Sequence, residues 1–175
     1  MKAPPLQHFY YLADVSEGGV EVAVRAEASQ REALAKWAGV EKVESFGALV
    51  DLCKSGPRRF SYAARLTADI VQTCVVTLEP LSARLERDIA RTLELAHGRS
   101  RPRQEDPSVW TPEDDEEPEK LETSRYDLAG PLLEEFVLAI DPYPRAPGVA
   151  FELPVPEDNP PESPFAVLKQ LKKRN

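Results

Sequence analysis

Residues Arg58–Val75 read RRFSYAARLTADIVQTCV, and their alternation decides the fold class. Phe60, Tyr62, Ala64, Leu66, Ala68 and Ile70 point one way, while Arg59, Ser61, Ala63, Arg65, Thr67 and Asp69 point the other. A period of two sustained over this length predicts a long strand with one face on a core and one face in water. Val43–Lys54 carries the same period, with Phe46, Ala48, Val50 and Leu52 on one face. Ser55-Gly56-Pro57 between the two is a turn.

Upstream, His8–Val15 is aromatic (Phe9, Tyr10, Tyr11) and Val20, Val22 and Val24 alternate after Gly18-Gly19. These segments predict two strands that could pair as a hairpin. Ser29–Gly39 predicts a helix, with Ser29 as cap, Glu32 at the capping-box spacing, Leu34 and Trp37 on one face, and Gly39 as the stop.

Downstream, Leu81, Leu85, Ile89 and Leu93 recur every four residues in Leu81–Ala96, as in a helix, yet all are odd-numbered and share a strand face with Ala83 and Leu95. The strand reading is taken because its predecessor is a strand; the helix stays open. Residues 98–123 hold four basic and nine acidic side chains and four prolines. Such a window buries too little to repay its ordering, which predicts a disordered acidic loop. Asp127–Ile140 predicts a second helix, with Leu128, Leu132, Phe136 and Ile140 as its stripe, joined by Leu133 and Val137, Pro131 in its first turn and Asp141-Pro142-Tyr143-Pro144 as its stop. Val149–Leu153 predicts an edge strand. Residues 154–175 form a proline-rich linker and a short last helix opened by Ser163-Pro164.

The expected architecture is therefore α+β. A curled antiparallel sheet, or partial barrel, of about six strands packs with two helices in a single domain over residues 1–153. The 175 residues suit one domain, and the 17 prolines cluster in the second half.

Charge and composition narrow the function. A net charge of -8 works against general attraction to phosphate backbones and favours a basic protein partner. The N-terminal segment has no apolar run and no stretch is long enough for a membrane helix, so a soluble cytoplasmic protein is expected. The two cysteines, Cys53 and Cys74, are expected to be buried, reduced thiols, with Cys74 on the parity of Leu66 and Ile70. His8 and His97 lie far apart, and no phosphate-binding glycine loop, metalloprotease motif or nucleophile elbow occurs. Glu116-Glu117 and Glu134-Glu135 read as solvated faces rather than catalytic pairs. No enzyme activity, small-molecule substrate or cofactor is expected, and the protein is expected to be a monomer.

Three segments then carry a resemblance. Ala68-Asp69-Ile70-Val71-Gln72-Thr73-Cys74-Val75-Val76-Thr77-Leu78-Glu79-Pro80 resembles the central motif of the YceD family, a strand ending in cysteine followed by a Leu-x-Pro turn. Asp127-Leu128 through Asp141-Pro142-Tyr143-Pro144 is similar to the family's helix with its Asp-Pro-x-Pro stop. Ser163-Pro164-Phe165-Ala166-Val167-Leu168-Lys169 is like its closing tail. The resemblance implies a bacterial factor for accumulation of large-subunit ribosomal RNA, with a ribosomal component as partner. Its motif residues would be Gln72, Thr73, Cys74, Thr77, Leu78, Glu79 and Pro80. Many relatives carry Cys-x-x-Cys here and some add a second pair that suggests zinc. This chain has Cys74-Val75-Val76-Thr77 and no cysteine in Pro144–Gly148, so no metal is expected.

Two kinds of partner stay open: a basic ribosomal protein, or the large-subunit RNA itself. RNA would require Arg58, Arg59 and Arg65, with Arg84, Arg87 and Arg91, to gather on one surface. The plainer reading is scattered solubilising charge. Phe165, Leu168 and Lys169 are further candidates for partner contact, on the short last helix. Gln72, turned inward by strand parity, is expected to pin either the Leu78-Glu79-Pro80 turn or the start of the second helix, unless it faces a partner.

Overall fold

A computed structural model describes residues 4–96 and 118–149. Three long strands dominate it. β1 (Phe9–Tyr11) and β2 (Val20–Arg25) precede the helix α1 (Ala28–Ala38). β3 (Lys42–Lys54), β4 (Arg59–Thr73) and β5 (Pro80–Leu95) follow as consecutive antiparallel neighbours. β6 (Glu119–Leu121), β7 (Arg125–Asp127) and the helix α2 (Ala129–Ala139) complete the order.

The main sheet has five strands in the order β2-β3-β4-β5-β6 and is open, with β2 and β6 at its edges. Parity does its expected work on β4: Phe60, Tyr62, Ala64, Leu66, Ala68 and Ile70 are buried. β5 is a strand, paired with β4 from Thr73↔Pro80 to Arg59↔Glu94, and Leu85, Ile89 and Leu93 are buried on its odd face. Side chains four apart thus serve a strand face here because β4 offers a full-length partner. In β3 the pairing shifts between Val43 and Ser45, so an extra residue moves the buried set from odd Val43 to even Phe46, Ala48, Val50 and Leu52.

Both helices cover this inner face, α1 against β3 and α2 against β5 and β4. Phe136 of α2 meets Phe46 edge-to-face at 5.3 Å. The Tyr62 hydroxyl donates to the Leu128 carbonyl at 3.0 Å, tying the sheet to the start of α2. Burial pushes that phenol well above its usual pKa.

Several expectations need correction. β1 and β2 form no hairpin: a 3-10 turn at Leu12–Asp14 leads the chain away, and β1 pairs antiparallel with β7, more than a hundred residues later. The His8 amide and the Ala129 amide both donate to the Asp127 carboxylate, so the segment expected to open the helix instead joins it to β1. The helix begins at Ala129, and Pro131 does lie in its first turn. The sheet is mixed, because β6 runs parallel to β5, and it does not close into a barrel. β6 also falls inside the predicted loop. Its three residues were masked by the acidic composition around them, yet Leu121 packs against the core. Residues 98–117 of that loop lie outside the described residues, as do 150–153 of the expected edge strand and the whole of 154–175.

α1 is capped two residues earlier than Ser29, which lies inside the helix. The Gln30 side chain accepts from the Glu27 amide at 2.8 Å, and Glu27 is the N-cap. Gly39 ends the helix in the left-handed conformation, as its position implies. Leu34 and Ala35 are buried, whereas Trp37 is 41% exposed.

Candidate interaction surface at the motif end of the sheet

β4 and β5 are joined by residues 74–79, and this turn assembles most of the motif side chains. The Cys74 amide donates to the Glu79 carbonyl at 2.8 Å, and the Leu78 amide to the Cys74 carbonyl at 3.0 Å. The Glu79 amide faces the Thr77 hydroxyl at 3.4 Å. Pro80 opens β5 opposite Thr73. Leu78 has φ 61° and is the non-glycine residue with positive φ among those described. Its side chain is 75% exposed.

The residues after α2 close over this turn. The Val75 amide donates to the Pro144 carbonyl at 2.9 Å. Gln72, turned inward as its parity implies and 8% exposed, donates from Nε2 to the Asp141 carbonyl at 2.8 Å. Its partner is therefore the stop of α2 rather than the Leu78-Glu79-Pro80 turn or the start of the helix. Asp141 in turn accepts from the Tyr143 amide through Oδ1 at 2.9 Å, which fixes the Asp-Pro-x-Pro bend. Thr73 lies at the exposed end of β4 with Oγ1 3.5 Å from Glu41 Oε2.

Cys74 is fully buried and unpaired, whereas Cys53, expected to be buried too, is an exposed free thiol at the end of β3. The Thr77 and Ala146 amides each donate to its sulfur at 3.4 Å. The Thr77 side chain, followed by the amides of Thr77, Ala146 and Val76, favours the thiolate and holds the pKa at about 6, against the opposing effect of burial. A zinc ion does not fit this arrangement. Zinc needs several sulfur, imidazole or carboxylate ligands. Here Cys74 offers a single sulfur, and among the described residues no three His, Cys, Asp or Glu side chains come together.

The arginines are distributed over different places. Arg58 caps the end of β5, donating to the Leu95 carbonyl at 2.8 Å and also to the Ala96 carbonyl. Arg59 pairs with Glu94 at 3.4 Å and Arg65 with Asp88 at 2.8 Å, both across strands on the outer face of the sheet. Arg84 pairs with Glu86 and Asp69 on that same face. Arg91 lies on the other face, between Glu134 of α2 at 2.5 Å and Glu119 of β6 at 3.9 Å. Arg87 donates to the Glu86 carbonyl. Phe165, Leu168 and Lys169 lie outside the described residues.

The turn that ends β4 and the bend that ends α2 are thus one hydrogen-bonded unit, built from residues 72–80 and 141–146. The family model described as large ribosomal RNA subunit accumulation protein YceD matches residues 63–172, which take in both halves of that unit. The chain belongs to the YceD family. No curated protein and no solved structure matches it. The family's name connects it with accumulation of the large ribosomal RNA subunit. Among the described residues no helix is long and apolar enough to cross a membrane.

Sequence reasoning named Asp141 and Leu78 within their motifs without the roles they play here, and it missed Ala146. Asp141 contributes through its backbone carbonyl, which no side-chain motif reports. Ala146 contributes an amide. Leu78 adopts a conformation that glycine or asparagine would have announced. Leu138 carried a weak signal, since it lies off the predicted stripe of α2 and is exposed; Val137, expected to join that stripe, is exposed as well.

Proposed function

We propose that this YceD-family chain is a non-catalytic cytoplasmic factor that promotes accumulation of the large-subunit ribosomal RNA during ribosome biogenesis. The observation that carries this reading is the family match over residues 63–172. The chemistry of the motif end supports the non-catalytic part. Gln72, Cys74, Thr77 and Asp141 are engaged in hydrogen bonds that close a turn and a bend.

A finer reading concerns the direct partner. The ion pairs of Arg59, Arg65 and Arg84, and the placement of Arg91 on the opposite face, favour a basic ribosomal protein over the RNA. An arginine held by a carboxylate must break that pair before it neutralises a phosphate, which weakens any counterion-release contribution.

Depletion of the protein in cells tests the main reading: the ratio of large-subunit to small-subunit ribosomal RNA should fall and recover on complementation. An unchanged ratio would refute it. Binding to purified ribosomal proteins and to ribosomal RNA, each titrated with salt, tests the finer one. A tight interaction confined to RNA, with a steep salt slope, would refute the protein partner.

A further inference from the structure

A groove of about 550 Å³ opens at the motif end, lined in part by Ala38, Val40, Val75, Ile140, Pro142 and Pro144. Exposed apolar side chains flank it in sequence: Trp37 beside Ala38, Leu138 two residues before Ile140, and Tyr143 between the two prolines. Leu138 is 76% and Tyr143 70% exposed. Leu78, in the same turn as the lining residue Val75, is a leucine held in a left-handed backbone that gains little burial within the described residues. Strain without local compensation points to a contact made elsewhere. Exposed apolar side chains gathered beside a groove and rimmed by polar residues, here Glu41, Thr73 and Asp141, mark an interaction site.

We infer that this groove is the docking site of the chain's own segment Phe165–Leu171. Three observations select this occupant. The chain leaves the described fold beside the groove, since Val75 binds Pro144, Cys74 binds Ala146, and Val149 donates to the Ala146 carbonyl. Residues 150–164 then separate Val149 from Phe165, and at ~3.3 Å per residue they reach up to about 50 Å, ample to return. The chemistry also matches. Phe165, Leu168 and Leu171 recur at three-residue spacing, with Lys169, Lys172, Lys173 and Arg174 beside and after them. The groove includes the carboxylates of Glu41 and Asp141, and neither forms an ion pair among the described residues. Finally, the family match runs through residue 172 and so includes this segment together with the turn and bend it would cover. A tether of this kind supplies an effective concentration on the order of millimolar, so a small interface suffices.

The inference is independent of which ribosomal component the protein engages, and it is tested on the full chain. Trp110→Phe leaves Trp37 as the single tryptophan, since the chain has two. In that background, Phe165→Glu with Leu168→Glu should raise acrylamide quenching of Trp37 about twofold or more. Amide exchange at Leu78, Leu138 and Tyr143 should accelerate about tenfold, while exchange at Val50 and Leu66 in the core stays unchanged. A synthetic peptide of residues 160–175 added to this variant should reverse both effects saturably. Quenching and exchange that do not respond to the substitutions would overturn the inference. So would protection that depends on protein concentration, which would make a second copy the occupant, or a peptide that fails to restore the signal.

Discussion

The side-chain amide of Gln72, at the end of β4, donates to the backbone carbonyl of Asp141, 69 residues later, and so locks the central motif to the stop of the second helix. The carbonyl it meets lies just past α2, where no further helical amide follows to bind it.

Gln72→Leu should therefore lower stability. The substitution keeps the side chain's bulk but leaves the Asp141 carbonyl without its donor, which costs roughly 1–3 kcal/mol. Chemical denaturation should show a lower midpoint with an unchanged slope. A mutant of full stability that still failed to support ribosomal RNA accumulation in cells would instead assign Gln72 to partner contact.

The contrast between Gln72 and its partner illustrates what the sequence held. Strand parity alone turns Gln72 inward, because every even residue from Phe60 on shares a face. Nothing local names Asp141, whose contribution is a backbone atom. The same division runs through the fold. The strands with long alternation, β3, β4 and β5, were legible because one buried face imposes the period on many residues. β1, β6 and β7 are each three residues long, too short to carry a period, and are specified by partners far away in the chain. At the site, the polar motif residues were visible, whereas the hydrophobic surface around them was not. Trp37 falls at helical spacing from Leu34 and reads as core, yet it is exposed where Leu34 is fully buried.

Tyr62→Phe isolates the link between sheet and helix. The ring stays, with its edge-on contact to Tyr126, but the hydroxyl bond to the Leu128 carbonyl is lost. That carbonyl is buried, so the expected loss is about 1–2 kcal/mol, measured by thermal or denaturant unfolding. A change near zero would mean that another donor reaches Leu128.

Cys74 makes stability depend on pH. Its folded pKa is about 6, below the ordinary thiol value of 9.0. For an acid whose folded pKa is depressed, the extra stability is fully present above the unfolded value and is lost as pH falls through the folded one. Wild type should therefore lose stability relative to Cys74→Ala between about pH 9 and pH 6. Outside that window the difference should be flat. Parallel denaturation curves at several pH values check this, and a difference that does not vary with pH would refute the thiolate.

Leu78 offers the sharpest separation of stability from function. A leucine at φ 61° carries strain of about 1–2 kcal/mol that glycine does not. Glycine costs about 0.5–1 kcal/mol in added freedom of the unfolded chain. The side chain is 75% exposed, so its removal forfeits little burial within the described residues. Leu78→Gly should thus leave stability unchanged or raise it by up to about 1 kcal/mol. If the leucine is instead held there by the docked segment Phe165–Leu171, the same variant should show faster exchange at Leu138 and Tyr143 despite its equal or greater melting temperature. Stabilisation accompanied by unchanged protection at those positions would separate the strained turn from the groove. A loss of more than about 1 kcal/mol would mean that Leu78 is packed more extensively than its exposure indicates.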